Sequence, residues 1–271
     1  GPSGTDADIF VYYQGKLLTM SKYSTYPDRV IFAAVHSGLY LIKVRSISGT
    51  GSFTVTYTKE AIPLFLEPAT QISENLEGYV GTVGYKFSSD GFHYLHITLD
   101  SATIFDMVVG IYDPHGDCIL SHESRAIYPT EFSINTITVG DYIIIVSSRT
   151  GYLSNFTMTF QGCKNQDVEP GTYSDTIGET LSSSLKSYAF YAPLGAIITV
   201  NVTEGAGVIV WVEGMDQRGL IRAYDRNQVH LGKKKISYAS PLNATAFVGL
   251  INKGTSGTYA ITIRVQLTVL S

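Results

Sequence analysis

Short segments in which large apolar residues alternate with small polar ones recur along the chain. The clearest are residues 53–57 (FTVTY), 156–160 (FTMTF) and 259–263 (YAITI). Successive side chains of an extended strand point to opposite faces, so this period of two predicts strands with one buried and one solvated face. No stretch of helical length shows a 3.6-residue apolar period. The pattern therefore predicts an all-β protein.

The same strand pattern returns at a fixed interval. The three segments begin at 53, 156 and 259, so each copy follows the previous one after 103 residues. Residues 85–87 match 188–190 in this register, and the strand-like residues 38–44 match 140–146. Short strands separated by turns rich in Gly, Ser and Asp are typical of β-sandwiches. We therefore predict tandem antiparallel β-sandwich modules of the jelly-roll kind, with a repeat of about 103 residues.

The repeat divides the chain into three predicted modules, at residues 1–62, 67–165 and 168–271. Residue 1 corresponds to about residue 104, so the first copy carries only the later strands of a module. Half a sandwich exposes strand edges and apolar surface. A partner chain could supply the front strands, the chain could have been clipped, or the first copy could be a smaller variant.

Three motifs carry a resemblance to a known family. Residues 188–195 (YAFYAPLG) combine an aromatic strand with a small-Pro-x-Gly turn. Residues 106–116 (DMVVGIYDPHG) form an Asp-led strand and an Asp-x-x-Gly turn, and residues 140–146 (GDYIIIV) form a Gly-x-Tyr strand. In these motifs the chain resembles the bacterial pre-peptidase C-terminal domains, small β-sandwich modules of secreted proteins. Residues 207–211 (GVIVW) of the third module depart from the family pattern because they lack the leading Asp.

Charge and hydropathy exclude two classes of function. The chain has 19 Lys and Arg against 23 Asp and Glu, a formal net charge of -4, whereas nucleic-acid binders need a basic surface. Its apolar runs, such as residues 142–146, are far shorter than a membrane span. We therefore expect no nucleic-acid partner, and we expect any membrane anchor to lie outside this chain.

The two cysteines, Cys118 and Cys163, both belong to the second module and have no counterpart in the other copies. A paired gain within one module is consistent with a disulfide in an oxidising compartment. Two unrelated free thiols are the alternative.

Three Asn-x-Thr sequences, at Asn155, Asn201 and Asn243, are candidate glycosylation sites. Asn155 and Asn201 alternate with apolar residues of their strands, so both are expected to face water. Ordinary polar residues on an outer face are the alternative reading of these positions.

Catalytic motifs are absent from the sequence. The chain lacks HExxH, phosphate-loop and dinucleotide-binding glycine patterns. His115, Asp117, Cys118 and His122 lie near one another in sequence, but Asp-Pro and Gly-Asp in this segment are ordinary turn residues. We therefore expect a protein that is not an enzyme and that holds neither a metal nor a cofactor.

The third module carries the candidate contacts for a partner. A basic stretch could bind an acidic protein or a phosphorylated glycan, although a solvated loop is the plainer interpretation. Trp211 faces away from Val210 and Val212, so it could stack on a sugar, anchor a partner or pack against a neighbouring module. His96 shares the outer face of its strand with Tyr94, and we expect it to be exposed. The basic residues are Arg218, Arg222, Arg226, Lys233, Lys234 and Lys235.

Tandem modules of this kind with glycosylation sequences also resemble the amoebic cysteine-protease-binding family, membrane-anchored receptors whose luminal β-domains carry lysosomal hydrolases. The resemblance implies the luminal part of a sorting receptor, located in the secretory or endo-lysosomal lumen or outside the cell. Its partner would be a soluble lysosomal hydrolase or the glycan of one. Substrate- or glycan-binding accessory modules of a secreted protease are the alternative, and a structural spacer is the third hypothesis.

Overall fold

The computed structural model describes residues 6–21, 28–57, 59, 64–76, 82–91, 93–100, 107–124, 130–148, 154–216, 221–226 and 233–267. Every regular element within these ranges is a β-strand, as the alternating pattern predicts. None of the described segments forms a helix with the length and apolar character that a membrane crossing requires.

The first unit contains one small antiparallel sheet. Its strands are β1 (Asp6–Tyr13), β2 (Lys16–Ser21) and β3 (Tyr40–Ser48), in the order β2-β1-β3. Gln14 and Gly15 connect β1 to β2 with φ angles of 48° and 79°. Two successive residues with positive φ form the tight hairpin turn whose twist matches that of the flanking strands.

The second module is an antiparallel sandwich. Its described strands are β4 (Leu64–Phe65), β5 (Thr70–Leu76), β6 (Thr82–Ser89), β7 (His93–Asp100), β8 (Met107–Tyr112), β9 (Cys118–Ser124), β10 (Thr130–Thr136), β11 (Gly140–Ser148) and β12 (Ser154–Lys164). One sheet has the order β10-β7-β12-β5 and the other the order β4-β6-β11-β8-β9. Short β4 is the exception to the antiparallel rule, since it pairs parallel with β6.

The third module repeats this arrangement strand for strand. Its described strands are β13 (Gln166–Asp167), β14 (Thr172–Ile177), β15 (Leu185–Ala192), β16 (Ile197–Glu204), β17 (Val210–Met215), β18 (Ile221–Asp225), β19 (Lys233–Ala239), β20 (Ala244–Asn252) and β21 (Gly257–Gln266). The sheet orders are β14-β21-β16-β19 and β13-β15-β20-β17-β18. Equivalent strands β6 and β15 begin at Thr82 and Leu185, 103 residues apart.

The buried faces follow the sequence pattern. In β12, Phe156, Met158 and Phe160 are at most 2% exposed and join the core between the two sheets of the second module. Asn155 occupies the opposite, solvent side of the same strand. Burying a large apolar side chain stabilises the fold by about 1.5–3 kcal/mol at each such position. A one-residue slip would expose the whole set, so this register is strongly favoured.

The first copy of the repeated segment is not a strand. Residues 53–57 form no ladder and their side chains are exposed, so the prediction is wrong for this copy. In the second module the matching strand β12 pairs with β5 on one side and β7 on the other. The first unit has no counterpart of either neighbour among its described residues, so its backbone hydrogen bonds cannot form a sheet there.

The second and third modules pack through unlike faces. The outer side of sheet β10-β7-β12-β5 lies on the outer side of sheet β13-β15-β20-β17-β18. Tyr94 of β7 is fully buried there among Leu185, Met215 and Phe247. Gly249 of β20 allows the close approach, since a Cβ atom at this position would lie 2.3 Å from the Tyr94 ring.

The first unit contacts the second module on the equivalent face. Ala33, together with Ile31 and Val35, packs on Tyr112 and Ile143 of sheet β4-β6-β11-β8-β9. Tyr112 and Ile143 are cross-strand partners, as are Met215 and Phe247 at the other junction. The same face of each complete module is therefore covered by the unit that precedes it in sequence.

We expect Gly249→Ala to destabilise the chain by about 1–3 kcal/mol, because the added methyl group must displace a buried aromatic ring. The free energy of unfolding in urea measures this effect. Gly171→Ala is the matched control, since its Cβ atom would lie 3.4 Å from the Tyr173 hydroxyl, an ordinary contact. Equal stability of the two variants would contradict the packing described for Tyr94.

Candidate binding surfaces

A charged network occupies the junction of the second and third modules. The Tyr94 hydroxyl donates to Glu213 Oε2 at 2.8 Å, and Arg226 Nε donates to Glu213 Oε1 at 2.9 Å. Glu213 is fully buried. Burial and the Glu213 carboxylate raise the pKa of Tyr94 well above its usual value, so the phenol keeps its proton and acts as a donor. The charge of the buried Glu213 carboxylate is therefore balanced by the Arg226 guanidinium, and both of its oxygens accept hydrogen bonds.

His96 belongs to the same junction. It lies on the outer face of its strand, as predicted, but the expectation that it is exposed is wrong, because the third module covers that face and His96 is fully buried. Its Nδ1 atom is 2.9 Å from Ser133 Oγ, and its Nε2 atom is 3.3 Å from Glu131 Oε2. The alternation of residues along a strand shows which face a side chain lies on, but it does not show what packs on that face.

Trp211 is half-buried at the junction and is not a free stacking platform. Its ring packs beside the Tyr94 cluster, with the Lys253 ammonium 4.2 Å and the Arg226 guanidinium 5.3 Å from ring centroid. Cations over an indole face are attracted by its quadrupole. Trp211 therefore packs against the neighbouring module, which is one of the three interpretations that its strand position allowed.

Two of the predicted basic contacts are used inside the third module. Arg222 donates to Asp216 through Nε at 2.9 Å and also through Nη2, while Arg226 binds Glu213. Both acids are almost completely buried, so removing either arginine would leave an uncompensated charge. These arginines therefore have a structural role in the third module, and their interpretation as partner contacts stays a prediction. Arg218 lies outside the described residues.

The three consecutive lysines alternate across β19. Lys234 points inward and is 1% exposed, and its Nζ atom has no hydrogen-bond partner among the residues that the structure describes. It is therefore not a partner contact. Lys233 and Lys235 are exposed on the outer side, where Lys235 lies opposite Asn201 and Lys233 opposite Thr203. A strand period of two thus leaves two of the three lysines exposed and places the third in the core.

Lys233 and Lys235 share an open surface with Arg264, which sequence reasoning missed. Arg264 is an exposed residue of β21 and lies opposite Thr199, whose other neighbour is Ser237 of β19. Arg264 lies between the apolar residues Ile263 and Val265, and this alternation could have identified it as an outward-facing residue. We call this surface, formed by Lys233, Lys235 and Arg264 with the hydroxyl groups between them, the basic face. None of its three cations pairs with an acid among the described residues.

The basic face is the counterpart of the covered face of the second module. Lys235 occupies the place of Glu131, since the two residues lie opposite Asn201 and Thr98 on equivalent strands. Arg264 likewise occupies the place of Gln161. The fold therefore presents one sheet face twice, once packed against a module and once open and cationic.

The predicted glycosylation sites lie on accessible strands or turns. Asn155 and Asn243 are exposed, and Asn243 Oδ1 accepts a hydrogen bond of 2.6 Å from the Tyr191 hydroxyl. Asn201 is half-buried on the basic face, beside Lys235. Modification of these residues stays a prediction.

Both cysteines are free thiols, so the disulfide expected between them is not formed. Cys118 begins edge strand β9, whereas Cys163 lies in β12 of the facing sheet and packs at the junction. Burial raises the pKa of the Cys163 thiol to about 12. A thiol that keeps its proton at neutral pH is a poor nucleophile.

A cleft of about 680 Å³ opens beside the junction, with Cys163 in its wall. Ser183, Ser256 and Thr258 contribute hydroxyl groups to it. Its lysines are each bonded to an aspartate outside the lining: Lys164 Nζ lies 2.8 Å from Asp90 Oδ2, and Lys186 Nζ lies 2.8 Å from Asp175 Oδ2. This lining can hydrogen bond a polar ligand, and it contains no activated nucleophile.

The segment around Asp113 is a turn, as predicted. Asp113 Oδ1 accepts hydrogen bonds of 2.9 Å from the backbone N–H groups of His115 and Asp117. This is the side-chain-to-backbone bonding that favours Asp in turns. The side chain of His122 lies outside the described residues, and those that are described contain no cluster of three metal-ligating side chains.

Neither a family model nor a curated protein sequence matches the chain. Among solved structures, 88 chains match it. One is the pre-peptidase C-terminal domain of a collagenase from Bacillus anthracis, with a TM-score of 0.34 and 13% identity over 38% of this chain and 100% of that chain. It belongs to the family that the sequence motifs resemble.

Two longer structures also match. The M60 catalytic domain of ZmpB from Clostridium perfringens, solved with its CBM51-1 and CBM51-2 domains, has a TM-score of 0.25 and 8% identity over 84% of this chain and 40% of that chain. The extracellular region of zebrafish Gpr126/Adgrg6 has a TM-score of 0.27 and 10% identity over 78% of this chain and 35% of that chain. The chain thus spans less than half the length of each.

We expect the contribution of Glu131 to stability to be lost in acid. Burial alone would raise the pKa of Glu131, but the contacts with His96 and Lys253 outweigh it and lower the pKa. A carboxylate with a lowered pKa stabilises the folded state above its unfolded pKa of about 4.3, and this contribution disappears as the pH falls through the folded value.

Glu131→Gln should therefore cost about 1–3 kcal/mol at pH 7 and progressively less below pH ~4, as measured by urea unfolding across pH 3–7. Glu67→Gln, at an exposed position, is the control and should change stability little at any pH. A cost of Glu131→Gln that stays constant down to pH 3 would rule out the ion pair with Lys253.

We expect the two thiols to differ in reactivity. Burial raises the pKa of both thiols, and it raises that of the less exposed Cys163 to about 12. In the native chain at pH 8, a disulfide-exchange reagent should therefore modify Cys118 at least about tenfold faster than Cys163. Unfolding in guanidinium should release both thiols, and Cys118→Ser should abolish the fast phase. Detection of fewer than two thiols in the unfolded, unreduced chain would indicate a disulfide.

Proposed function

We propose that this chain is a non-catalytic binding region that engages an anionic partner through the basic face. The observation that carries the proposal is the open position of Lys233, Lys235 and Arg264 on a sheet face without acidic partners. Cations that no internal acid neutralises attract and orient an oppositely charged partner. Two buried acids of the third module, Asp216 and Glu213, are by contrast already paired with Arg222 and Arg226.

The chemistry of the basic face fits an acidic glycan or a carboxylate-rich protein surface. Thr199 and Ser237, whose hydroxyl groups lie 3.3 Å apart, can exchange hydrogen bonds with sugar hydroxyl groups between the cations. Arg264 can bind a phosphate, sulfate or carboxylate group through two parallel hydrogen bonds. A sheet face holds these groups on a rigid support, which limits the entropy lost on binding.

In this proposal the chain is the luminal part of a sorting receptor, and its partner is a soluble lysosomal hydrolase or the acidic glycan of one. Sequences for glycosylation at Asn155, Asn201 and Asn243 agree with a secretory or endo-lysosomal location. Asn201 lies opposite Lys235, so a glycan there would shield part of the basic face and regulate access to it.

The proposal predicts that charge reversal on the basic face removes cargo binding. The chain is immobilised and incubated with soluble luminal proteins, and captured hydrolases are identified and titrated. Lys233→Glu with Lys235→Glu should weaken capture at least about tenfold, and raising the salt concentration should weaken wild-type capture in the same direction. Arg264→Ala should add to the loss.

The control variant carries Lys43→Glu with Lys59→Glu, which changes the net charge equally at exposed positions of the first unit. It should retain wild-type capture. An equal loss of cargo capture in both variants would show that capture depends on the net charge of the chain and not on the basic face. Capture of cell-wall or matrix polysaccharide that survives reversal of the basic face would favour the accessory modules of a secreted protease, and no capture at all would favour a spacer.

A further inference from the structure

The cleft beside the junction of the second and third modules is built from both of them. Cys163 and Lys164, at the end of β12, form one wall, and the rest of the lining comes from the third module. Its volume of about 680 Å³ falls within the range of about 300–1,000 Å³ that is typical of small-molecule sites. The cleft therefore has room for a small ligand, which would contact both modules.

The lining of this junction cleft is polar. Small-molecule sites are mostly lined by apolar and aromatic side chains, with a few polar groups that fix the ligand. Of the described lining residues, Ile177 and Leu185 are the large apolar ones, both are at most 5% exposed, and none is aromatic. Hydroxyl groups are far more numerous, and they belong to Thr176, Ser182, Ser183, Ser187, Ser256 and Thr258.

Three of these hydroxyl groups are available to a ligand. The side chains of Thr176, Ser256 and Thr258 are exposed and form no hydrogen bond with the residues that the structure describes. Thr176 of β14 and Thr258 of β21 are cross-strand partners, so their side chains lie next to each other on one face of the sheet. Each hydroxyl group can both donate and accept, which suits a ligand that carries neighbouring hydroxyl groups.

A turn holds another hydroxyl group of the cleft in place. The Gly178 N–H donates to the Ser183 carbonyl oxygen at 2.9 Å, and Thr180 Oγ1 lies 2.6 Å from Ser183 Oγ. A Cβ atom at residue 178 would lie 1.9 Å from Ser183 Oγ, so the missing side chain of Gly178 lets the serine approach this closely. This wall of the cleft is thus preorganised, which limits the entropy lost on binding.

The charges of the cleft are balanced within the protein. Lys164 Nζ lies 2.8 Å from Asp90 Oδ2, and Lys186 Nζ lies 2.8 Å from Asp175 Oδ2. A phosphate, sulfate or carboxylate group would have to displace an aspartate from its lysine. A cationic ligand would meet no carboxylate, since the described lining contains neither Asp nor Glu. The cleft therefore favours a neutral ligand that is rich in hydroxyl groups, which is the chemistry of a sugar.

We propose that the junction cleft binds neutral units of an oligosaccharide. The sugar hydroxyl groups would exchange hydrogen bonds with Thr176, Ser256 and Thr258. Because the described lining offers no aromatic ring for stacking, hydrogen bonds carry the affinity, and a Kd of about 1 mM is expected for a trisaccharide. This inference goes beyond the basic face and does not depend on it, since the ligand is uncharged.

Neutral trisaccharides test the proposal on the full chain. Mannotriose represents the glycan of a glycoprotein, and cellotriose represents a structural polysaccharide. Each is titrated into the ¹⁵N-labelled chain while backbone amide chemical shifts are recorded. We expect saturable shifts at residues 176–178, 182–187 and 256–258 with at least one sugar, and the tighter binder identifies the source. Absence of shifts at these residues with both sugars would overturn the proposal.

A pair of chain variants tests the role of the hydroxyl groups. Ser256→Ala with Thr258→Val removes two of them at nearly constant side-chain size and should weaken trisaccharide binding at least about tenfold. Ser48→Ala with Thr50→Val makes the same changes at exposed positions of the first unit and should bind like the wild type. All four positions are exposed, so neither variant endangers the fold. Equal binding by the two variants would contradict the proposal.

Reversal of the basic face separates this inference from the proposed function. The chain with Lys233→Glu and Lys235→Glu should bind the neutral trisaccharide with wild-type affinity, whereas its capture of acidic cargo is expected to fall. The variant with Ser256→Ala and Thr258→Val should show the opposite behaviour. A trisaccharide affinity that falls when the basic face is reversed, and is unchanged in the cleft variant, would place the sugar outside the cleft and overturn the proposal.

Discussion

The hairpins that connect the two sheets of each sandwich hold the complete modules together. β7 and β16 hydrogen bond a neighbour on both sides, and each is preceded by a strand of the opposite sheet, so the β6–β7 and β15–β16 hairpins tie the two layers of a sandwich to each other. The described residues of the first unit include no such hairpin. Residues 53–57 have a sequence as well suited to a strand as residues 156–160, yet they form no ladder. Strand propensity acts only where a neighbouring backbone is present.

The character of a sheet face is set by a few substitutions on a common frame. At equivalent places the second module has Glu131 and Gln161, whereas the third has Lys235 and Arg264. In the second module these positions surround a fully buried tyrosine and meet their polar partners across the junction. In the third module the same backbone supports a solvated surface. A repeat thus supplies the scaffold, and outward-facing residues decide whether it becomes an interior or an exterior.

The alternation of residue types was sufficient to predict the all-β class and the inward residues of β12 and β16. It was not applied to the lysine run, where all three residues were taken as candidate contacts, although Lys234 is buried. What the sequence lacked was information about the third dimension between modules. His96 and Trp211 were placed on the correct sides of their strands. The alternation of residues could not show that another module covers those sides. The pairing of Arg226 with Glu213 joins a residue just after β18 to one in β17, 13 positions earlier, which no local pattern encodes. The absence of a cross-link between Cys118 and Cys163 likewise depends on which sheets they occupy.

The contact between modules joins the four-stranded face of one to the five-stranded face of the next, and such unlike surfaces are not self-complementary. An interface of this type repeats head to tail without closing, so a protein whose last face could still receive a neighbour would polymerise into a filament. Lys233, Lys235 and Arg264 make the basic face a poor acceptor for a contact of this kind, because burying them against an apolar five-stranded face would strip their hydration without compensation. The cations that are proposed to attract cargo would therefore also disfavour head-to-tail stacking of another module on this face.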